Sequence, residues 1–504
     1  MTDVHAVLAL VLTSLAAAPP AGYRLRLDAG LTEAAVEFCL GARPEPVRLT
    51  TREPEAERFR GRATVTRGRA RLVDTDGGIE LGDPAPGTCV AYAVDLARLE
   101  REGGERALRR LGHSVLTRSD LWLWRPSGPL ASAPLRLALE LPAGMEASLP
   151  WPPADATGGN RSYLLTPTPR RWQDLTLFGR LSVTEIEAPG ARLRLAIADG
   201  EPAADPGAMA AWLGEAARAV STLYGRFPLA SPQIVVVPIG RRGEPVPWAQ
   251  VQRGGGAAAH FYVDQHRPLA EFREDWTATH ELSHMLLPYV SRDGAWLSEG
   301  FASYYQNVLR ARAGMISATA AWERLFAGFR RGGRATDGVT LAAATREMHR
   351  RGAYLRVYWS GAALALLADV ELRRQSAGAK SLDLALARLA ECCLPSERAW
   401  SAAALLGRLD ELTEADVFMR LHARHVHSPA FPDLAGAAAA LGIVEEGDAL
   451  RFAQDDASAA LRQAIMSPPT HLLAEHGQRD ERSTTTAAPS GRLRNHGGPR
   501  GPAP

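Results

Sequence analysis

Between 23 and about 187 the chain is built of short runs with strand-like alternation. Tyr23-Arg24-Leu25-Arg26-Leu27 and Leu121-Trp122-Leu123-Trp124 are examples, set between clusters of Gly, Pro and Asp. The pattern predicts an all-β, sandwich-like domain over 23–190. Around 202–206 it changes. Apolar residues over 208–224 recur at helical spacing, and the runs 233–238 and 260–264 read as strands. Pro268 opens a helical stretch through Trp276, His280, His284 and Leu287, which Pro288 ends. A seven-residue connection, 288–294, leads into a helix over 295–312, a length suited to a helix hairpin. The fold class is therefore α+β: a β domain followed, over 200–442, by a mostly helical domain with a small sheet. A helical extension is expected over 443–465. The Pro-, Ser-, Thr- and Gly-rich stretch 466–504 lacks periodicity and is expected to be disordered.

At 504 residues the chain exceeds what one core usually serves, in keeping with this division. A net charge of +2, with Arg scattered over helices and loops, leaves no electrostatic footprint for nucleic acid. The apolar run 6–18 is too short to span a bilayer and reads as the core of a signal peptide over 1–22, although the residues before it carry Asp3 and no Lys or Arg. The expected location is thus periplasmic or secreted, with no stable membrane span. Export would allow Cys39 and Cys89, both in the β domain, to pair, whereas adjacent Cys392 and Cys393 do not form a metal motif.

The chemistry is concentrated in His280-Glu281-Leu282-Ser283-His284. Residues i and i+4 share a helix face, so two imidazoles can address one tetrahedral zinc ion with Glu281 beside them. A solvated helix with two histidines would show the same five letters, so the context decides. Glu299 lies one turn into the next helix, in Trp296-Leu297-Ser298-Glu299-Gly300-Phe301-Ala302, where a third ligand should sit. Two His and one Glu leave a fourth position open, as catalytic zinc requires, and Glu281 is then the general base.

These two motifs together resemble the gluzincin zinc peptidases, whose catalytic domain is thermolysin-like. Tyr358-Trp359-Ser360-Gly361-Ala362-Ala363-Leu364, with Asp369 to Arg374 and Ser381-Leu382-Asp383, is similar to the tyrosine segment of the bacterial glycyl aminopeptidases. The resemblance spans about 208–442. It implies zinc ligands at His280, His284 and Glu299, a base at Glu281, a peptide or protein substrate, and a transition-state tyrosine at Tyr358, with Tyr354 competing for that role.

The sequence departs from the family in three places. Only 14 residues separate His284 from Glu299, where about eighteen or more are expected, so the connection is trimmed. In place of the family's glutamate-bearing segment that binds a substrate's amino group stands Gly254-Gly255-Gly256-Ala257-Ala258-Ala259-His260, with no acid, although edge-strand pairing by this segment could still hold an extended peptide. The residues after 442 are too few for the PDZ domain that glycyl aminopeptidases carry. A peptide-binding descendant without catalysis is the alternative reading, and epoxide hydrolysis on the same metal ranks below both.

Overall fold

The computed structural model describes residues 21–42, 45–75, 77–154, 161–169 and 172–469. The apolar run at 6–18 and nearly all of the stretch after 466 lie outside them.

Gly22–Leu27 alternates as expected, with Tyr23, Leu25 and Leu27 buried and the intervening arginines exposed. It pairs antiparallel with Glu33–Cys39 and parallel with Leu135–Glu140 in a six-stranded sheet. Two four-stranded sheets complete the N-terminal unit, around a core that includes Trp122, Trp124 and Trp151. Cys39 and Cys89 sit directly opposite on neighbouring strands and are joined as a disulfide; Cys392 and Cys393 are joined to each other.

The second unit begins earlier than the pattern suggested. The hairpin Ser182–Ala188/Ala191–Ile197 does not belong to the β domain but starts a five-stranded sheet, so the expected border at 190–200 falls inside it. The strand Ala191–Ile197 leads through the helix Pro206–Ser221 to the parallel strand Gln233–Pro238, buried along its whole length as its unbroken apolar run requires. Ala258–Val263 lies parallel beside it, and Trp248–Gln252 closes the sheet as an antiparallel edge.

His260, in the centre of this sheet, is fully buried with no hydrogen-bond partner for either ring nitrogen among the described residues. Burial lowers its pKa to about 3, whereas an unfolded histidine titrates near ~6.5. Between these values only the unfolded chain takes up the proton, so stability is retained above about pH 6.5 and lost as pH falls below it. His260→Leu should narrow the stability gap between pH 7.5 and pH 5.0, read by urea unfolding, by about 2 kcal/mol. An unchanged gap would mean that His260 finds a proton acceptor in the fold.

Two expected elements differ. The helix expected from 268 to 287 is three pieces: Leu269–Glu274, Thr277–Ser283 and the 3-10 turn His284–Leu286. Asp275 is extended (ψ 142°), and its carboxylate takes the N–H of Thr277 at 2.7 Å, restarting the helix two residues on. The extension over 443–465 is not wholly helical. It opens with the hairpin Ile443–Glu446/Ala449–Phe452, turned at Gly447 with φ 64°, before the helix Asp456–Met466.

The helices Ala295–Arg312 and Tyr354–Gln375 pack backbone to backbone. A Cβ on Gly361 would lie 1.8 Å from the carbonyl oxygen of Trp296, and one on Gly300 would lie 2.3 Å from Gly361. Further along, Arg312 pairs with Asp383 at 2.8 Å and donates to the Ile465 carbonyl at 2.7 Å, while Arg373 bridges Asp369 and Asp383. Tyr304 and Tyr305 donate to Asp369 and Asp383. Burial pushes the Asp383 carboxyl up, but the two guanidinium groups outweigh it and hold the acid below its ordinary value. Asp369, Arg373 and Asp383, part of the family-like segment, thus serve as a buried clamp among four helices. No helix among the described residues is long and apolar enough to cross a membrane.

Candidate functional site

The short helix Thr277–Ser283, which carries His280, is buried along every residue, and His284 opens the 3-10 turn that follows it. Nε2 of His280 lies 3.3 Å from Oε2 of Glu299, and Nε2 of His284 lies 3.5 Å from the same oxygen. Ligand atoms held tetrahedrally at ~2.0–2.1 Å from one zinc ion stand roughly 3.3–3.4 Å apart. Both histidine-to-glutamate spacings therefore fit the metal.

The other ring nitrogens are engaged. Nδ1 of His280 meets Oε1 of Gln306 at 2.8 Å, and Nδ1 of His284 meets the Ser298 hydroxyl at 3.1 Å. An amide oxygen only accepts, so Nδ1 of His280 donates and its Nε2 lone pair faces the Glu299 carboxylate. Two acceptors so placed call for a cation between them, a proton or a metal. Burial raises the Glu299 carboxyl, but His284 and His280 outweigh it and bring the group far below the usual range. Burial lowers His280, and here Glu299 and Glu281 outweigh it, leaving the imidazole above its ordinary value.

Glu281 is buried beside the pair, its carboxylate within 4.8 Å of the histidine nitrogens, and burial raises its pKa. Tyr358 stacks on His280, with ring centroids 5.9 Å apart and planes 11° from parallel. Burial, with Glu299 and Glu281 adding, holds its phenol protonated and able to donate. Tyr354 is 41% exposed and bonds His349 at 2.8 Å instead. Of the two tyrosines, Tyr358 is the one against His280 and Glu299.

Glu281, His284, Ser298, Glu299 and the two tyrosines form one wall of a cleft of about 710 Å³, whose other walls include the edge strand Trp248–Gln252, Arg253, Tyr289 and Arg346. The glycine run is not that edge. Gly254 donates its N–H to the Gln173 carbonyl at 2.7 Å, and a Cβ on Gly255 (φ 94°) would lie 2.2 Å from Trp151. The segment is pressed onto the β domain, which explains its lack of side chains; the strand before it faces the cleft. The trimmed connection is pinned as well, since Trp400 and Tyr289 pair through the backbone at 2.8 Å and Ser291 bonds the Trp400 carbonyl.

Sequence reasoning missed Gln306, Ser298 and Arg253. Gln306 was within reach, because it lies seven residues, two turns, beyond Glu299 on the same helix face. Arg253 gave no signal. Its Nη2 donates to the carbonyls of His284 (2.7 Å) and Leu287 (3.3 Å), a contact between segments 31 and 34 residues apart.

No family model matches the sequence, and neither does any curated protein. Solved structures do. The chain is similar to an aminopeptidase N family protein from Idiomarina loihiensis, at 13% identity over 84% of this chain and 78% of that one, with a TM-score of 0.65. It is similar to an M1 zinc metallopeptidase from Deinococcus radiodurans bound to a Tyr-Ser-Ala substrate (19%; 83% and 95%; TM-score 0.50). A third is yeast LTA4 hydrolase in complex with bestatin (11%; 83% and 68%; TM-score 0.50). At these identities the likeness is one of fold: a β-rich domain followed by a mostly helical domain, as in the two-domain M1 peptidases.

Proposed function

We propose that this protein is a zinc-dependent peptidase in which His280, His284 and Glu299 hold one ion and Glu281 is the general base. The observation that supports it most is that both imidazoles lie within 3.3 and 3.5 Å of one Glu299 oxygen, beside a cleft lined by His284, Glu299, Glu281 and Tyr358. A zinc ion held by His280, His284 and Glu299 would supply a Lewis acid for the scissile carbonyl and would lower the pKa of water. Glu281 takes the proton of the attacking water and passes it to the leaving amine. Tyr358 donates to the oxyanion that develops on the attacked carbonyl.

Hydrolysis should therefore disappear with a zinc chelator and return with added zinc. A chain that holds zinc yet cleaves nothing in a broad peptide library would instead be a binder of extended peptides. Tyr358→Phe should lower kcat by about 100-fold with KM and zinc content nearly unchanged. A fall in KM of similar size would turn Tyr358 into a group that acts on the bound substrate's ground state.

The edge strand Trp248–Gln252 offers its free backbone to an extended substrate. Of the acids lining the cleft, Glu281 and Glu299 belong to the reaction, and Glu347 is paired with Arg350 and Arg351. None is left for a terminal ammonium. N-acetylated peptides should be cleaved at least as fast as their free-amine counterparts, and a strong preference for free amines would contradict this. The apolar run at 6–18 and the Cys39–Cys89 pair support action outside the cytoplasm.

A further inference from the structure

A second cavity of about 410 Å³ adjoins the cleft at Tyr358. Tyr354 and Tyr358 line both spaces. Leu355 and Trp359 join the tyrosines, and the rest of its wall comes from the helix Ala295–Arg312 (Ser303, Gln306, Asn307, Arg310), the helix Ala318–Arg334 (Arg324, Arg331), Glu274 and Trp276.

Arg310 is the notable member. It is 1% exposed, and its Nη2 donates to the backbone carbonyls of Arg273 (3.1 Å) and Glu274 (2.8 Å). Its Nε and Nη1, also buried, have no partner among the described residues. Among the described residues no carboxylate forms a salt bridge with it: Asp275, whose charge it feels, holds the N–H of Thr277. Burial and then the charge of Arg324 lower its pKa to about 10, with Asp275 opposing, which still leaves it cationic at neutral pH. Arg331 lies over the Trp359 ring at 5.2 Å, and neither it nor Arg324 has a salt-bridge partner among the described residues. Three guanidinium groups thus stand around a space to which Glu274 contributes the only acid. A buried guanidinium with two idle donors is costly unless an acceptor arrives. With Oε1 engaged by His280, the NH2 of Gln306 is the end of that amide left for the cavity.

We propose that this cavity is a binding site for a small oxyanion, a carboxylate or a phosphate, with Arg310 as its buried anchor and Arg324 and Arg331 at its mouth. Planar or tetrahedral oxyanions match the paired donors of arginine, and their charge answers the excess in the wall. The oxyanion is either free in solution or carried on a bound peptide, and the shared tyrosine wall places it next to the cleft in both cases.

The test is thermal unfolding of the full chain at constant ionic strength, titrated with inorganic phosphate, with acetate, or with an N-acetylated aspartyl peptide amide. A saturable rise in Tm with phosphate or acetate is expected, and Arg324→Gln should weaken it at least ten-fold in apparent Kd. Arg310→Met should abolish it; because that change also removes the bonds to the Arg273 and Glu274 carbonyls, the shift is read against the variant's own anion-free Tm. A larger, phosphate-competed shift with the aspartyl peptide identifies a substrate carboxylate as the source; phosphate alone identifies a free anion. If no anion gives a saturable shift, or both variants respond as the parent does, the site does not exist. Because the readout is unfolding, that failure leaves zinc-dependent hydrolysis intact and separately measurable.

Discussion

Replacing Glu281 by Gln is expected to reduce peptide hydrolysis by about 1,000-fold or more while one zinc per chain is retained. The two side chains have the same shape, so the buried helix around position 281 should not shift. The amide, however, cannot accept the proton of a water, and no other carboxylate lining the cleft among the described residues is free to do so: Glu299 is committed to the two histidines and Glu347 to two arginines. Metal analysis together with turnover of an N-acetylated peptide reads both halves. Retained hydrolysis removes Glu281 as the base, and loss of zinc would make it a ligand.

Gly361→Val should be nearly as severe through packing alone. The new Cβ would meet the Trp296 carbonyl at 1.8 Å and the Gly300 Cα at 2.7 Å, both backbone atoms that cannot rotate away. Forcing the two helices apart should cost more than about 3 kcal/mol and lower Tm by several degrees. The damage should also reach the site, because Glu299 precedes Gly300 and Tyr358 lies three residues before Gly361. Zinc content and Tm should therefore fall together. Gly407→Ala is the control, since a Cβ there meets nothing within 4 Å in the helix Ala402–Thr413, so stability should be unchanged or rise by about 0.5–1 kcal/mol. A Gly361→Val protein with normal Tm and zinc would mean that the helices can separate without moving Glu299.

What the sequence made legible was local. His280, Glu281 and His284 stand out by helical spacing, and Glu299 by its place in the following helix; in the structure the two imidazoles lie near Glu281 and within 3.3 and 3.5 Å of Glu299. The choice of Tyr358 over Tyr354 could not be made from spacing, because both lie on one helical face. It depends on which ring meets His280, a contact across 78 residues. The break at Asp275 escaped because its apolar neighbours keep helical periodicity, while one carboxylate-to-backbone bond overrides it. The early start of the second sheet escaped because the hairpin ending at Ile197 has the same two-residue alternation as the strands before it. Only its partner, Gln233–Pro238, assigns it. Gly254 to Gly256 read as a segment that had lost an acid, and the reason for the glycines lies in Trp151 and Gln173, far upstream.

The bond between Arg312 and the Ile465 carbonyl has a consequence for how this chain tolerates rearrangement. Glu299 and Arg312 are two points on one rod, thirteen residues and roughly 20 Å apart. The rod's distal end is anchored by the helix Asp456–Met466, so that helix belongs to the foundation of the cleft although it never borders it. A fusion partner joined beyond residue 469 would leave the anchor in place. A chain severed between Phe452 and Asp456 would deprive Arg312 of its carbonyl and loosen, from the far end, the helix that holds Glu299.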